Sequence, residues 1–306
     1  MTVRTRLLDR VRRLLADRAD AAVRPRVTVA PRVVLVELEH PRHGRLAGVA
    51  HRPRSDRPSA ESTAPVADAS VGAASPHGAS VDPPSGAEPD ASRRTWPRSA
   101  AALSSLAVDA PASDPLARAV GIATLNALSA PDVHWRPGDP MAALSPDVGV
   151  VATVGLFRPA FRKFGDVEVR VVERDPDRVD DLPSGASASV YAPEECGSAF
   201  DGADVCFVTG STLIYGGVDR YLAALTAVEV PLVVLIGSTA SFLPEPAFDA
   251  GVDVLAGARV TDPDRVREHA TAGDCDTDLH DNGLEKGFVS AREELPGLDV
   301  QASSDK

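Results

Sequence analysis

Three short segments gather the residues that could do chemistry. GLFRP (155–159) offers Gly155, TGSTLIYGG (209–217) offers the hydroxyls of Thr209, Ser211 and Thr212 beside Gly210, and GSTAS (237–241) adds Ser238 and Thr239. Glycine lets backbone come close to a ligand, and converging N–H and hydroxyl donors suit a carboxylate or phosphate. Any one such segment is ordinary turn composition. Three that each follow a short apolar run point to a binding site for a small polar or anionic ligand. Glu173 ends another apolar run, at the place where dinucleotide-binding domains hold a ribose hydroxyl with an acid. Gly155 stands without the G-x-G-x-x-G pattern, however, so a pyrophosphate would lack its usual close approach to backbone. The same carboxylate, with Asp175, could equally cap the strand end.

Other reactive side chains are scattered. CDTDLHD (275–281) sets Asp276, Asp278 and His280 at alternate positions, on one face if the segment is extended. Mixed oxygen and nitrogen donors of that kind could hold a divalent ion, although an acidic loop produces the pattern without any metal. His51 is an isolated histidine at a strand end, and Cys206 lies mid-strand in an apolar run. No Ser-His-Asp order, H-E-x-x-H or phosphate-binding Walker loop is present.

The elements that must position these loops are legible as apolar runs. VGVVATVG (148–155), VEVRVVE (167–173), ADVCFVTG (203–210), VPLVVLIG (230–237) and VDVLAG (252–257) predict five strands. Helix-compatible segments at 158–164, 217–227 and 262–270 alternate with most of them. Near-continuous apolar strands alternating with helices predict a parallel sheet covered on both faces, a Rossmann-like α/β domain over 144–290. In such sheets ligands lie outside the carboxyl ends of the strands, which is where the three loops fall. LEKGFVS (284–290) is a further candidate for order, and 291–306 reads as a flexible tail.

A smaller α+β domain is expected over 1–143. It opens with an apolar stripe at helical spacing (Val3, Leu7, Leu8, Val11, Leu14, Leu15) whose arginines fall mostly on the other face. Strands follow at 26–31, 32–40 and 45–53, with a turn at 41–44. Helices are expected over 98–108 and 114–129, the second with Asp114 as N-cap and Pro115 at its first position. Between them, 54–97 is rich in Ser, Ala, Pro, Gly and Asp and reads as a disordered insertion.

Composition narrows the function classes. Of the 306 residues 43% are hydrophobic but only 4% aromatic, so the core must be built from Val, Leu and Ala. No apolar run is long enough for a transmembrane helix, and the first residues lack a signal-peptide pattern. Three cysteines without a CxxC pair suit a reducing cytoplasm. Acids outnumber bases 44 to 32, and lysine occurs only at 163, 286 and 306. Such a surface is that of a salt-adapted, halophilic protein, in which molar salt screens the repulsion among carboxylates. The basic N-terminal stretch could address nucleic acid or membrane, but its stripe pattern favours a helix packed on its own domain.

GIATLNALS (121–129), TVGLFRP (153–159), VVERDP (171–176), VTGSTLIYGG (208–217) and GVDVLAGARVTDP (251–263), in this order, resemble the heavy-metal-chelation family, a domain of unknown function. The resemblance implies an enolase N-terminal-like domain joined to a Rossmann-like domain, with a site in the cleft between them. It points to Asn126 from the first domain, facing Gly155, Phe157, Glu173, Thr209, Gly210, Ser211 and Thr212. An asparagine inside an Ala- and Leu-rich helix also calls for a polar partner across the interface. Tyr215 and Gly217 stand where members often carry Asn and Thr, and Ser238 where proline is common. The expected function is binding or processing of a metal ion, a divalent one included, or of a metal-chelating small molecule. The alternative is an enzyme using NAD or S-adenosylmethionine in the Rossmann-like cleft. Nucleic acid and membrane are not expected partners; homo-oligomerisation is left open.

The acidic, lysine-poor surface predicts that folding requires salt. Thermal melting in about 0.1 M and about 3 M KCl, where the screening lengths are ~10 and under ~3 Å, should differ strongly, with the low-salt protein partly unfolded. Equal melting points would remove the salt-adapted reading.

Overall fold

A computed structural model of the chain describes residues 6–53, 94–155, 167–175, 188–274 and 276–299. The described chain opens with α1 (Leu7–Leu14) and α2 (Ala16–Ala21), which precede an antiparallel sheet of β1 (Val23–Val29), β2 (Val33–His40) and β3 (Gly44–His51). Then come α3 (Ala100–Asp109) and α4 (Pro115–Ser129), packed on each other and on that sheet. In α4, Asp114 accepts from Ala117 N at 3.0 Å and Pro115 fills the first turn, as the sequence dictates. From Ala117 to Ser129 every α4 residue but Arg118 is buried.

The larger sheet begins with β4 (Arg136–Pro137), β5 (Val150–Val154), β6 (Glu168–Val172) and β7 (Ala188–Tyr191). The chain continues through α5 (Cys196–Phe200), β8 (Val205–Thr209), α6 (Ser211–Tyr215), α7 (Val218–Ala227), β9 (Leu232–Ile236) and α8 (Glu245–Phe248). β10 (Val254–Val260), α9 (Pro263–Ala272), α10 (Asp276–Leu279) and β11 (Leu284–Ser290) complete it. The strand order is β4-β11-β10-β9-β8-β5-β6-β7, parallel from β10 to β7 and antiparallel at β11 and β4. The chain direction across the sheet reverses between β5 and β8, which makes their carboxyl ends the topological switch point.

Alternation within the strands builds two cores. Ala152, Val154, Cys206, Val208, Val233 and Leu235 share one core with α3, α4 and the smaller sheet. Val151, Val205, Phe207, Leu232 and Val234 belong to a core on the other face. Both faces being buried, the strands carry near-continuous apolar runs. Among the described residues no helix is long and apolar enough to cross a membrane.

The fold is the α/β class that the sequence predicts, with differences of detail. Helix α1 ends at Leu14, which is 62% exposed, because the chain turns at Leu15 and buries that leucine instead. Strands β7 and β4 and helix α6 were not anticipated; each is very short, and β7 and β4 are edge strands with polar or proline-containing sequences. LEKGFVS is a strand, β11. Residues 291–299, expected in the flexible tail, pack on the second core through Leu295 and Leu298, with Asp299 N donating to Ala143 O at 2.7 Å. Trp96, expected inside the insertion, packs against the first core. The rest of the expected insertion (54–93), Val3, the helix expected over 158–164 and residues 300–306 lie outside the described residues.

The two sheets are also tied by an ion network. Glu37 of β2, 5% exposed, accepts from Arg45 Nη2 at 2.6 Å and from Arg267 Nη2 at 2.7 Å, while Arg45 and Arg267 both reach Asp264 at the start of α9. Burial pushes the Glu37 carboxyl up, but the two guanidinium groups outweigh it and hold it below its ordinary value; Arg45 and Arg267 hold Asp264 down in the same way. A depressed carboxyl contributes stability above its unfolded-state pKa and loses it as pH falls through the folded value. Glu37→Gln should therefore cost about 3 kcal/mol at neutral pH, since breaking a buried pair leaves its partners uncompensated. In denaturant titrations the gap between wild type and variant should close as pH is taken down through and below 4.5, the ordinary carboxyl value. A gap that stays constant with pH would assign the loss to packing instead.

Candidate functional site

Gly155 and Thr209 meet at the switch point. Gly155 has φ +89° and its N–H donates to Val172 O at 2.9 Å, which closes the end of β5 onto β6. A Cβ at this position would lie 2.7 Å from Thr209 Cγ2. Both the left-handed backbone and the close approach therefore require glycine. On the β8 side, Thr209 Oγ1 accepts from Ser211 Oγ at 3.3 Å and from Ser211 N at 3.4 Å, and Thr212 Oγ1 donates to Thr209 O at 2.7 Å. Thr209 and Ser211 are half-buried, with Thr212 below them. The hydroxyl cluster is thus pre-arranged by its own hydrogen bonds and still reachable from solvent at its first two members.

Glu173 lies at the end of β6, beside Gly155 and one strand removed from this cluster. Its N–H donates to Tyr191 O, and its Oε1 accepts from Arg174 N at 2.8 Å and Asp175 N at 3.4 Å. One carboxylate oxygen is therefore committed to closing its own turn, which is the capping role that the sequence allowed. The turn aims Arg174 at the far end of α6, where its guanidinium sits 4.2 Å from the centre of the Tyr215 ring. Arg174 and Arg118 were not among the residues read from the sequence, and Tyr215 was noted only as a departure from the family pattern. The one signal for Arg118 was a charge in the otherwise apolar helix that carries Asn126.

The GSTAS turn does a different job. Ser238, Thr239 and Ala240 are buried in a single 3-10 turn. Asn126, 2% exposed, donates through Nδ2 to Val49 O (2.8 Å), Thr239 O (3.1 Å) and Ser238 O (3.3 Å). His51 N donates to Thr239 Oγ1 at 3.0 Å, and Ser241 Oγ links Ser238 O to Ala258 N. Asn126 does find polar partners, but they are carbonyls of the protein itself, two in this turn and one in β3. Its Oδ1 is buried and has no hydrogen-bond partner. Of the residues expected at the site, Gly155, Thr209, Gly210, Ser211 and Thr212 come together at the switch point. Glu173 flanks them, Asn126, Ser238 and Thr239 form a staple behind Gly210, and Phe157 lies outside the described residues.

The remaining candidates are not drawn to this site. Asp276–Leu279 is helical, so Asp276, Asp278 and His280 do not have the alternating one-sided geometry of an extended segment. Among the described residues no group of three or more His, Cys, Asp or Glu is arranged to hold a metal ion. Cys206 is fully buried and its thiol is pushed up by that burial and by neighbouring Cys196, which makes it a core residue rather than a nucleophile. Cys275 lies outside the described residues. A hollow of about 360 Å³ lined by Pro25, Val27, Trp96, Pro97 and Arg98 lies against β1, away from the switch point.

Comparison with known proteins places this geometry. Residues 145–286 match the family described as "Putative heavy-metal chelation". Two solved structures from that family, both of proteins of unknown function, share the fold. The protein from Pyrococcus horikoshii aligns with TM-score 0.66 at 19% identity, covering 94% of this chain and 100% of its own. The protein from Desulfitobacterium hafniense DCB-2 aligns with TM-score 0.59 at 12% identity, covering 92% and 98%. No curated protein matches the chain.

The staple generates an expectation for Asn126 that is independent of any ligand. Asn126→Ala takes the side-chain donor from Val49 O and Thr239 O, while Ser238 O keeps Ser241 Oγ, and an unsatisfied buried group costs about 1–3 kcal/mol. Chemical denaturation without ligand should show a loss in that range. An unchanged midpoint would mean that the asparagine is kept for something other than holding the turn.

Proposed function

We propose, for a chain whose residues 145–286 belong to the family described as "Putative heavy-metal chelation", that the switch point binds a metal-chelating small molecule rather than a bare metal ion. The observation that carries this reading is the contact of Gly155 with Thr209 across the point where the strand order reverses. Gly155 and Gly210 spend their N–H groups on Val172 O and Ile236 O, which leaves the half-buried hydroxyls of Thr209 and Ser211 to face a ligand. These are donors for the oxygens of a polar or anionic molecule. They are poor ligands for a heavy metal, which favours thiolate and imidazole. The described residues around the switch point supply neither group, so any metal would arrive within its chelator.

A second reading is an enzyme that uses a nucleotide-type cofactor, NAD or S-adenosylmethionine. It is favoured by Glu173, which ends the strand where such domains hold a ribose, and disfavoured by the commitment of one of its oxygens to Arg174 N. On either reading the chain would work as a two-part protein, with the smaller sheet and α4 backing the Rossmann-like part. Localisation in the cytoplasm remains part of the proposal.

Isothermal titration separates the readings. Citrate, its nickel complex, NiCl₂ alone, NAD and S-adenosylmethionine are the probes, with native mass spectrometry of protein from its own cells to reveal a retained molecule. Citrate or its nickel complex should bind while NiCl₂ alone does not. Ser211→Ala should weaken that binding about 10- to 150-fold, as expected for loss of a hydrogen bond of ~1.5–3 kcal/mol to a charged group. Binding of NAD or S-adenosylmethionine in place of citrate would move the assignment to the second reading. Binding of NiCl₂ alone would return it to a protein-held metal.

A further inference from the structure

Among the described residues Arg118 is a cation with no carboxylate partner. It stands in the first turn of α4, half-buried, in a helix whose later residues are all buried. Its Nη2 donates to Ala110 O at 2.9 Å, while its Nε is buried with no hydrogen-bond partner. Among the described residues no carboxylate pairs with it, whereas Arg18, Arg170 and Arg267, all partly buried, each hold one. Burial disfavours its charged form, and the nearby Arg6 adds repulsion. No acid among the described residues pairs with this guanidinium, and its charged neighbour, Arg6, is itself positive.

Arg118 and Arg174 flank the end of the 209–217 loop. Arg118 Nη1 lies 3.9 Å from where a Cβ on Gly216 would stand, so the guanidinium faces bare backbone. Arg174 covers the adjoining Tyr215 from the β6 side. The nearest acid in sequence, Asp219, has Oδ1 occupied by Leu7 N at 3.1 Å. Gly216 and Gly217 both have positive φ and carry no side chain that could fill the space beside Arg118.

We propose that Arg118 is the anion anchor of the switch-point site, taking an oxyanion group (phosphate or carboxylate) of the ligand beside Gly216, with Arg174 on Tyr215 as a second positive wall. This rests on the reading of the 209–217 loop as the ligand loop, and it deepens that reading by giving the ligand a net negative end. Planar guanidinium donors match the oxygens of either group. A free cation would be repelled here; a negatively charged chelate would not.

The test uses the full chain at fixed ionic strength with two probes, pyrophosphate and citrate, and four proteins: wild type, Arg118→Met, Arg118→Lys and Ser211→Ala. Without a probe, Arg118→Met should melt close to wild type, because it removes an unpaired charge and keeps the apolar stem while giving up one donor to Ala110 O. Either probe should raise the wild-type melting temperature, Arg118→Met should lose that shift and weaken binding by about tenfold or more, and Arg118→Lys should keep part of it. A large drop in the melting temperature of Arg118→Met without probe would make Arg118 structural and overturn the proposal. So would an equal probe response in wild type and Arg118→Met, or no response in wild type to either probe. If Arg118→Met loses the response while Ser211→Ala keeps all of it, the anchor stands and the hydroxyl loop is the part that fails.

Discussion

Helix α4 is held at backbone contact on two sides, and that closeness is the constraint from which the site is built. A Cβ on Gly48 of β3 would lie 2.2 Å from Ala127 N, and one on Gly121 would lie 2.0 Å from Ala107 N of α3. Neither position can hold a larger residue unless the backbone moves. The helix therefore cannot slide or rotate on the smaller sheet, and Asn126 is delivered at a fixed height to the carbonyls of residues 238 and 239. That turn is in turn the surface on which Gly210 rests, since a Cβ there would come within 3.1 Å of Thr239 and 3.2 Å of Ala240 N. The orientation of Ser211 and Thr212 is inherited from a helix in the other half of the molecule.

Two loops of nearly the same composition thus have opposite duties. TGST and GSTAS both follow parallel strands and both offer glycine and hydroxyls. In GSTAS the hydroxyls and carbonyls are consumed by Asn126, His51 and Ala258, and the turn is buried between the sheets. In TGST the hydroxyls bond mainly to each other, and two of their residues remain half-buried. What separates them is neighbouring structure rather than local chemistry: GSTAS lies under β3 and α4, whereas Thr209 lies against the bare backbone of Gly155.

This is also where the sequence stops being legible. Apolar runs located five of the six parallel strands from β5 to β10, all but the short edge strand β7, and Asp114 and Pro115 marked the start of α4 correctly. Asn126 stood out because an amide in an apolar helix demands partners, and it has them. Whether those partners belong to a ligand or to the protein depends on long-range packing, which single-sequence patterns do not encode. Leu295 and Leu298 were hidden for a related reason: two leucines in a polar stretch have no period, yet together they seal one face of the sheet. Arg118 was visible as a charge in an apolar helix, but its lack of a partner is a statement about everything around it.

Charge placement follows from the same logic. On the salt-adapted reading the working medium screens charges over ~3 Å, so long-range steering by the acidic surface contributes little and only near-contact interactions survive. The network of Glu37, Arg45, Asp264 and Arg267 meets that condition with contacts of 2.6–2.9 Å. A ligand site in such a medium must hold its charge in the same way, with a cation partly withdrawn from water and already in position. An arginine on the open surface would be masked by chloride, and a fully buried one would not stay charged without a fixed partner. Arg118 lies between these limits, with Nε enclosed and Nη1 facing a glycine. Ala110 O meets part of the electrostatic cost of keeping it there; on the proposed reading the remainder is offset when an anion arrives, and that demand selects the sign of the ligand.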